Sequence, residues 1–199
     1  SAWLRFLRYS SSSVFTRGLQ VFGAADGVTI FDNRVASGHL FRVATDTAGM
    51  IPALQHAVAH VEARGEHYDL IVCLQPTSPF RSGEDIDATV ALVSDGADSA
   101  QTLTDAAYRP WQMVHLSGTR CLPLFPDLAG RDLRRQDPPG VYQPSGSVYV
   151  TKRDVLMLDN RIIGKDHRGV VVPWERSLNI NSPWDYRIGE MMIARNFVP

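Results

Sequence analysis

The chain has 199 residues, 44% hydrophobic and 21% charged, with a net charge of −1 at neutral pH. That length builds one sizeable core, and the charge balance excludes a general nucleic-acid binder. No apolar stretch approaches the roughly 20 residues that span a bilayer, and Cys73 and Cys121 form neither a metal spacing nor a disulfide framework, which fits a reducing, cytoplasmic setting.

Residues 1–25 carry Arg5, Arg8, Arg17 and a serine run, with no acid before Asp26. That is the composition of a transit peptide; the favoured reading is a processed or truncated chain in which Trp3, Leu4, Phe6 and Leu7 belong to a helix. "GVTIF" (27–31) reads as a short strand. Residues 45–65 read as a helix, with Thr47 as N-cap, Pro52 in the first turn, Ile51, Leu54, Val58 and Val61 on one face, and Gly65 as the stop.

"YDLIVCLQ" (68–75) is a continuous apolar run, as in a strand buried on both faces of a parallel sheet, with Cys73 a buried thiol. A second helix follows in 77–96, capped by Ser82 with Asp85 in an imperfect capping box, its inner face Ile86, Val90 and Val93. "DSAQTLTD" (98–105) reads as a strand. Residues 106–145 are rich in Pro, Arg and Gly, with strand-like pieces such as "WQMVHLS" (111–117), and look like an insertion or lid over a site. Then come a strand at 146–151, a short helix at 152–158, a strand at 169–174 and a final helix at 182–196 with Pro183 in its first turn. Alternating strands and helices argue one α/β domain over residues 1–199, its sheet mostly parallel.

Three segments carry candidate chemistry. "LQPTSPFR" (74–81) puts Gln75, Thr77, Ser78 and Arg81 at the C-terminal tip of the buried strand, the edge where open α/β sheets bind ligands; the bland alternative is a proline-rich turn with capping hydroxyls. "RRQDPPGVYQPSGSVYV" (134–150) offers Arg134 and Arg135 as forked donors for phosphate or carboxylate, with Gln136, Tyr142 and Ser145 to complete a polar pocket; the alternative is a solvated basic loop. In "RSLNINSPWDY" (176–186), Asn179 and Asn181 alternate with Leu178 and Ile180, so a strand end points two carboxamides at one spot, or the two amides bond a strand–helix junction. His56 and His60, four residues apart without a carboxylate partner, read as surface residues.

In order and spacing the three segments resemble the acylneuraminate cytidylyltransferases, the CMP-sialic acid synthetases and their relatives. The resemblance runs from about residue 35 to the C-terminus. It implies a Rossmann-like nucleotidyltransferase fold with a protruding lid or dimerisation arm around 106–165, and a homodimer whose partner arm contributes sugar contacts. It implies transfer of CMP from CTP to a sialic-acid-like nonulosonic (2-keto acid) sugar, with attack of the anomeric hydroxyl on the α-phosphate, release of pyrophosphate, and Mg²⁺ neutralising the phosphates. By the match, Gln75 lines the sugar pocket and Arg135 and Gln136 lie near the sugar.

The sequence departs from that pattern twice. Residues 1–34 contain no strand and Gly-rich loop with Arg and Lys of the kind that cradles a triphosphate. The two C-terminal aspartates that ligate Mg²⁺ in the family are Asn179 and Asn181 here, which leaves Asn181 as the expected metal contact through its side-chain oxygen; Ser145 also replaces a family asparagine. The expectation is a CMP-sugar synthetase relative, and the chain as it stands is expected to make no CMP-sugar. The alternatives are a catalytically inactive homologue acting as a sugar- or partner-binding subunit, or a transferase using another nucleotide.

Overall fold

The computed structural model describes residues 18–24, 27–30, 50–65, 67–75, 77–128 and 140–197, with residues 18–24, 27–30 and 128 described by their backbone alone. In chain order these form β1 (Gly18–Ala24), β2 (Gly27–Ile30), α1 (Met50–Glu62), β3 (Leu70–Leu74), α2 (Gly83–Ser94), β4 (Ser99–Asp105), a hairpin of β5 (Val114–Ser117) and β6 (Arg120–Pro123), β7 (Tyr142–Lys152), α3 (Arg153–Met157), β8 (His167–Val171) and α4 (Pro183–Ala194). Six strands make one sheet in the order β2-β1-β3-β7-β4-β8. β1 runs parallel to β3 and β4 runs parallel to β8, while β7 is antiparallel to both β3 and β4. β1, β3, β4 and β8 therefore point one way; β7, and β2 at the edge, run against them. This is an α/β fold whose sheet is mixed rather than mostly parallel, because β7 inserts antiparallel between β3 and β4.

The two-sided burial of β3 follows from its period-2 alternation. Ile71 and Cys73 pack with Leu54, Ala57, Val58 and Val61 of α1 and Leu156 of α3. Val72 and Leu74 face the other way, onto Val90 and Val93 of α2 with Ala100, Val148 and Val150. Helices thus cover both faces, as the continuous apolar run requires. Cys73 is buried within 3.6 Å of the Met50 sulfur, and burial pushes its thiol up to about 11, so it is unreactive at neutral pH. Both cysteines are free thiols.

Helix boundaries follow local chemistry. Gly65 ends the turn after α1 at φ +82°, where a Cβ would be strained. Thr47 lies outside the described residues. At α2 the capping box closes fully: Ser82 Oγ accepts from the Asp85 N–H, and the Asp85 carboxylate accepts from the Ser82 N–H at 2.9 Å. Aspartate thus does here the job usually given to glutamate. His56 and His60 are partly exposed on α1.

Two boundaries differ from the sequence reading. The excursion from the sheet is shorter than 106–165, because Tyr142–Lys152 is a single long strand inserted between β3 and β4. β8 starts two residues earlier than expected, at His167, where parallel pairing with Ser99 begins. Among the described residues no helix is long and apolar enough to cross a membrane.

Candidate functional site

β7 carries a large bulge. Gln101 of β4 faces Tyr149 and Leu103 faces Pro144, so two steps along β4 oppose five along β7. A bulge of this kind leaves backbone groups without ladder partners and bends the strand. Here side chains satisfy them: Thr102 Oγ1 accepts from the Val148 N–H at 3.0 Å, and Ser145 Oγ accepts from the Ser147 N–H at 3.3 Å. Ser145 in turn donates to Thr102 Oγ1 at 2.7 Å. Ser145 therefore points into the bulge and holds its shape, instead of facing a ligand as its place in the sequence suggested.

The bulge thrusts Gly146 toward the tip of β3. Its φ of +77° belongs to the left-handed region. A Cβ placed there would lie 2.8 Å from Asn179 Nδ2, 3.1 Å from Gln75 Oε1 and 3.3 Å from Ser78 Oγ. Three polar side chains from two distant segments thus close in on one backbone position that only glycine leaves open. Ser78 is fully buried, and its Oγ, like the Oδ1 of Asn179, has no hydrogen-bond partner among the described residues. Buried polar atoms without partners are rare and costly in native proteins, which singles out this polar cluster at the tip of β3 as the candidate site.

Arg81 stitches this cleft together. Both of its terminal nitrogens donate to the Gln75 carbonyl, at 2.9 and 2.8 Å, and one also donates to the Ser147 carbonyl at 2.7 Å. The guanidinium therefore works on backbone carbonyls of the β3 tip and the β7 bulge, not as a free ligand contact. Burial pushes it down to about 10, which leaves it a cation at neutral pH. No carboxylate among the described residues forms a salt bridge with it.

The segment bearing the asparagines is docked by three links. The Ile180 N–H donates to the Thr77 carbonyl at 2.7 Å, Ser147 Oγ donates to the Arg176 carbonyl at 3.3 Å, and Arg176 grips Asp85 in a two-pronged pair at 2.9 and 3.0 Å. Leu178 packs with Phe80 and Met192, with Ile180 and Ile188 alongside. The expected alternation is present, although residues 177–181 pair in no sheet. Its two amides are treated differently. Asn179 enters the cleft, whereas Asn181 is exposed and its backbone N–H donates to Asp185, the residue that caps α4 with Ser182. Those bonds hold the Asp185 carboxyl below its usual range.

Of the residues singled out in the sequence, Gln75, Ser78 and Asn179 are therefore brought together. Thr77 contributes its carbonyl to the docking, and Tyr142 is exposed at the start of β7. Arg134, Arg135 and Gln136 lie outside the described residues. Gly146, Ser147 and the Arg176–Asp85 pair were not singled out; the signal available was an isolated glycine inside a strand pattern, which marks a bulge or a close backbone approach.

The donors of this cleft do not make a Mg²⁺ site by themselves. Mg²⁺ takes one or two carboxylates together with substrate phosphates and water. Asn179, Gln75 and Ser78 are all neutral, and Asp185 is committed to the helix cap. Among the described residues there is no group of three His, Cys, Asp or Glu side chains placed to hold a metal. A separate concavity, lined by Tyr108, Arg109, Gln112, Met113 and Val114 beside the hairpin, shares no residue with the cleft.

No model of a known protein family matches the chain. It is similar to the post-translational flagellin modification protein B of Campylobacter coli, 26% identical over 154 residues, which cover 76% of this chain and 64% of that protein. It is similar to the CMP-N,N'-diacetyllegionaminic acid synthase of Legionella pneumophila, 23% identical over 158 residues, covering 77% of this chain and 66% of that one. The match thus spans just under two thirds of the length of each relative. Among solved structures, CMP:2-keto-3-deoxy-manno-octonic acid synthetase complexed with CTP shares the fold, with a TM-score of 0.52, 15% identity, and coverage of 76% of this chain and 70% of that one. The chain is thus similar in sequence to these two proteins and in fold to the third.

Proposed function

We propose that the chain is a cytidylyltransferase-like protein that transfers CMP from CTP to a nonulosonic, 2-keto acid sugar with release of pyrophosphate. The observation that carries this reading is the convergence of Gln75, Ser78 and Asn179 on the Gly146 bulge. The cleft lies beyond the C-terminal end of β3, the edge at which open α/β sheets bind ligands. In this reading Gln75 and Asn179 hydrogen-bond and orient the hydroxyls of the sugar, Ser78 anchors one of its oxygens, and the Arg81 clamp fixes the two backbone segments so that the donors are preorganised. Arg135, Gln136 and Tyr142 complete the sugar pocket, with the 106–141 excursion as the arm of a homodimer.

A second reading is a homologue that binds the sugar without transferring CMP. The neutral pair Asn179 and Asn181 favours it, because phosphoryl transfer depends on neutralising charge at the α-phosphate. One experiment separates the two. The protein is incubated with CTP, Mg²⁺ and a panel of nonulosonic acids, and pyrophosphate is measured beside acid binding. Pyrophosphate above the acid-free control supports the transferase. Acid binding without pyrophosphate supports the binding subunit. Neither signal with any acid sinks both.

A further inference from the structure

β8 is the edge strand of the sheet and pairs with β4 alone among the described strands. Its first residue, His167, lies in register opposite Ser99, the first residue of β4. Ser99 is fully buried. Its hydroxyl accepts from the Gly164 N–H at 2.8 Å and lies 2.7 Å from His167 Nδ1. The loop before β8 comes in closely here, since a Cβ at Gly164 would collide with Asp98. Nδ1 is the acceptor open to the Ser99 hydroxyl among the described residues, so the serine donates to Nδ1 and the neutral ring carries its proton on Nε2. Nε2 is itself buried without a partner among the described residues. An imidazolium fits this place badly. Nδ1 ceases to accept, the Ser99 proton loses its acceptor in a buried spot, and charge is withdrawn from water.

Neighbouring charges offer the ring no free counter-ion. Asp98 of β4 is taken by the Asp166 N–H and by Lys152 of β7 at 3.5 Å. Asp166 is taken by Arg168, which also reaches Asp95 at the end of α2. Asp159 and Lys165 of the loop are exposed. Ile71, Thr151, Ser99 and His167 stand in one row across the sheet, so they share the face that α1 and α3 cover. On those helices Glu62, Arg153 and Asp154 are paired together, and His56 and His60 add no negative charge. Tyr149 and Cys73 on the sheet stay neutral, because burial raises both.

We propose that Ser99 and His167 form a pH-sensitive latch: the neutral ring fastens the start of β8 and the Gly164 loop to β4, and proton uptake by His167 releases them. The strand so fastened runs on through Val172, whose N–H donates to the Leu103 carbonyl at 2.8 Å, into the segment that bears Arg176 and Asn179. The latch therefore governs the root of that segment, whatever ligand the protein takes. Burial holds the His167 ring below its usual 6.5, against a smaller opposing pull from the Ser99 backbone. The folded ring thus takes a proton less readily than the unfolded chain. The latch is fully closed above about pH 6.5 and opens as pH falls from there through the folded-state value.

The test is hydrogen exchange read by mass spectrometry from about pH 7.5 to about pH 5.5, corrected for the intrinsic exchange rate. Protection of peptides spanning 160–171 is expected to fall below pH 6.5 by up to about tenfold per pH unit, the limit for one linked proton, while peptides of β3 keep theirs. His167→Asn keeps a side-chain acceptor for Ser99 but takes no proton, and its profile is expected to be flat within about twofold. Ser99→Ala removes the latch itself and is expected to show at about pH 7.5 the loss that wild type shows at about pH 5.5, roughly tenfold. Should Ser99→Ala fail to fold, wild type and His167→Asn decide the matter. A wild-type profile at 160–171 that does not change with pH overturns the proposal. So does a folded His167→Asn that keeps the wild-type dependence, since Asp98, Asp166 or another group then carries it. An equal loss of protection in β3 overturns it as well, because the proton is then linked to the whole fold rather than to this edge.

Discussion

The strand-tip cleft and the hairpin excursion are opposite solutions to leaving a sheet. In the cleft, polar side chains are buried and bind backbone and one another: Arg81 on two carbonyls, Thr102 and Ser145 on the bulge, Asp85 on both a helix cap and Arg176. In the hairpin the apolar side chains are outside. Tyr108 is 76% exposed and Leu116 68%, with Val114, Leu124 and Phe125 also exposed. β5 and β6 pair only with each other through a turn at Gly118, which sits at φ +62°. The cleft is thus rigid by internal bonding, and shape matters there. The hairpin is held by little beyond its own ladder, and a two-stranded hairpin alone is marginal in water.

The largest expected effect is at the docking pair. Asp85 is only 4% exposed and bonds both the Ser82 N–H and the Arg176 guanidinium. Asp85→Ala should leave the guanidinium half-buried and unpaired, open the α2 cap, and destabilise the fold by about 3 kcal/mol. Urea unfolding checks this; a loss below about 1 kcal/mol would mean the segment is held by Leu178 and Ile180 packing instead.

Next comes Gly146→Ala. Its left-handed backbone and the 2.8 Å approach to Asn179 Nδ2 should cost about 2 kcal/mol and displace the amide. Stability and acid affinity should fall together. Unchanged affinity in a folded variant would show that the bulge does not shape the ligand site.

Glu62 provides a reference away from both regions. It lies at the end of α1 opposite Met50, about 18 Å along the helix, and pairs with Arg153 of α3 through a two-pronged contact. The hydrogen bond from Arg153 holds its carboxyl below the unfolded value of 4.5. The folded state therefore keeps this charge more readily than the unfolded chain. The resulting stability is fully present above about pH 4.5 and is lost as pH falls through the folded-state value. Glu62→Gln should flatten that acid limb in a melting-temperature series while leaving acid binding untouched. A limb as steep as in wild type would assign it to other carboxylates.

The smallest effect on stability is expected at the hairpin tip. Leu116→Ser should change unfolding free energy by less than about 0.5 kcal/mol, as exposed substitutions do. If the arm joins two copies, the same change should weaken self-association in sedimentation experiments. A loss of monomer stability comparable to that at Gly146 would show the hairpin to be packed, and the contrast drawn here would fail.

Periodicity and turn chemistry were enough to read β3, α2 and α4 from the residues. An uninterrupted apolar run needs two covered faces, Ser82 with Asp85 starts a helix, and Pro183 fits a first turn. They also marked Gln75, Ser78 and Asn179 as polar residues at a strand tip and a junction. What they could not reach was direction. Arg81 and Ser145 looked like ligand contacts because their side chains can serve a ligand as well as a backbone; only the placement of the Gln75 and Ser147 carbonyls, and of Thr102 across the bulge, turned them inward. The parting of Asn179 from Asn181 had the same origin: alternation puts both on one side of the segment, but α4 begins right after them and takes Asn181 into its cap. The chain itself thus determined which segments form and which of them carry polar groups. Pairing between residues some 40 to 70 positions apart in the chain, as in Thr102 with Ser145 and Arg81 with Ser147, decided which of those groups face the cleft, because hydrogen-bond partners at such separations exist only once the sheet has closed.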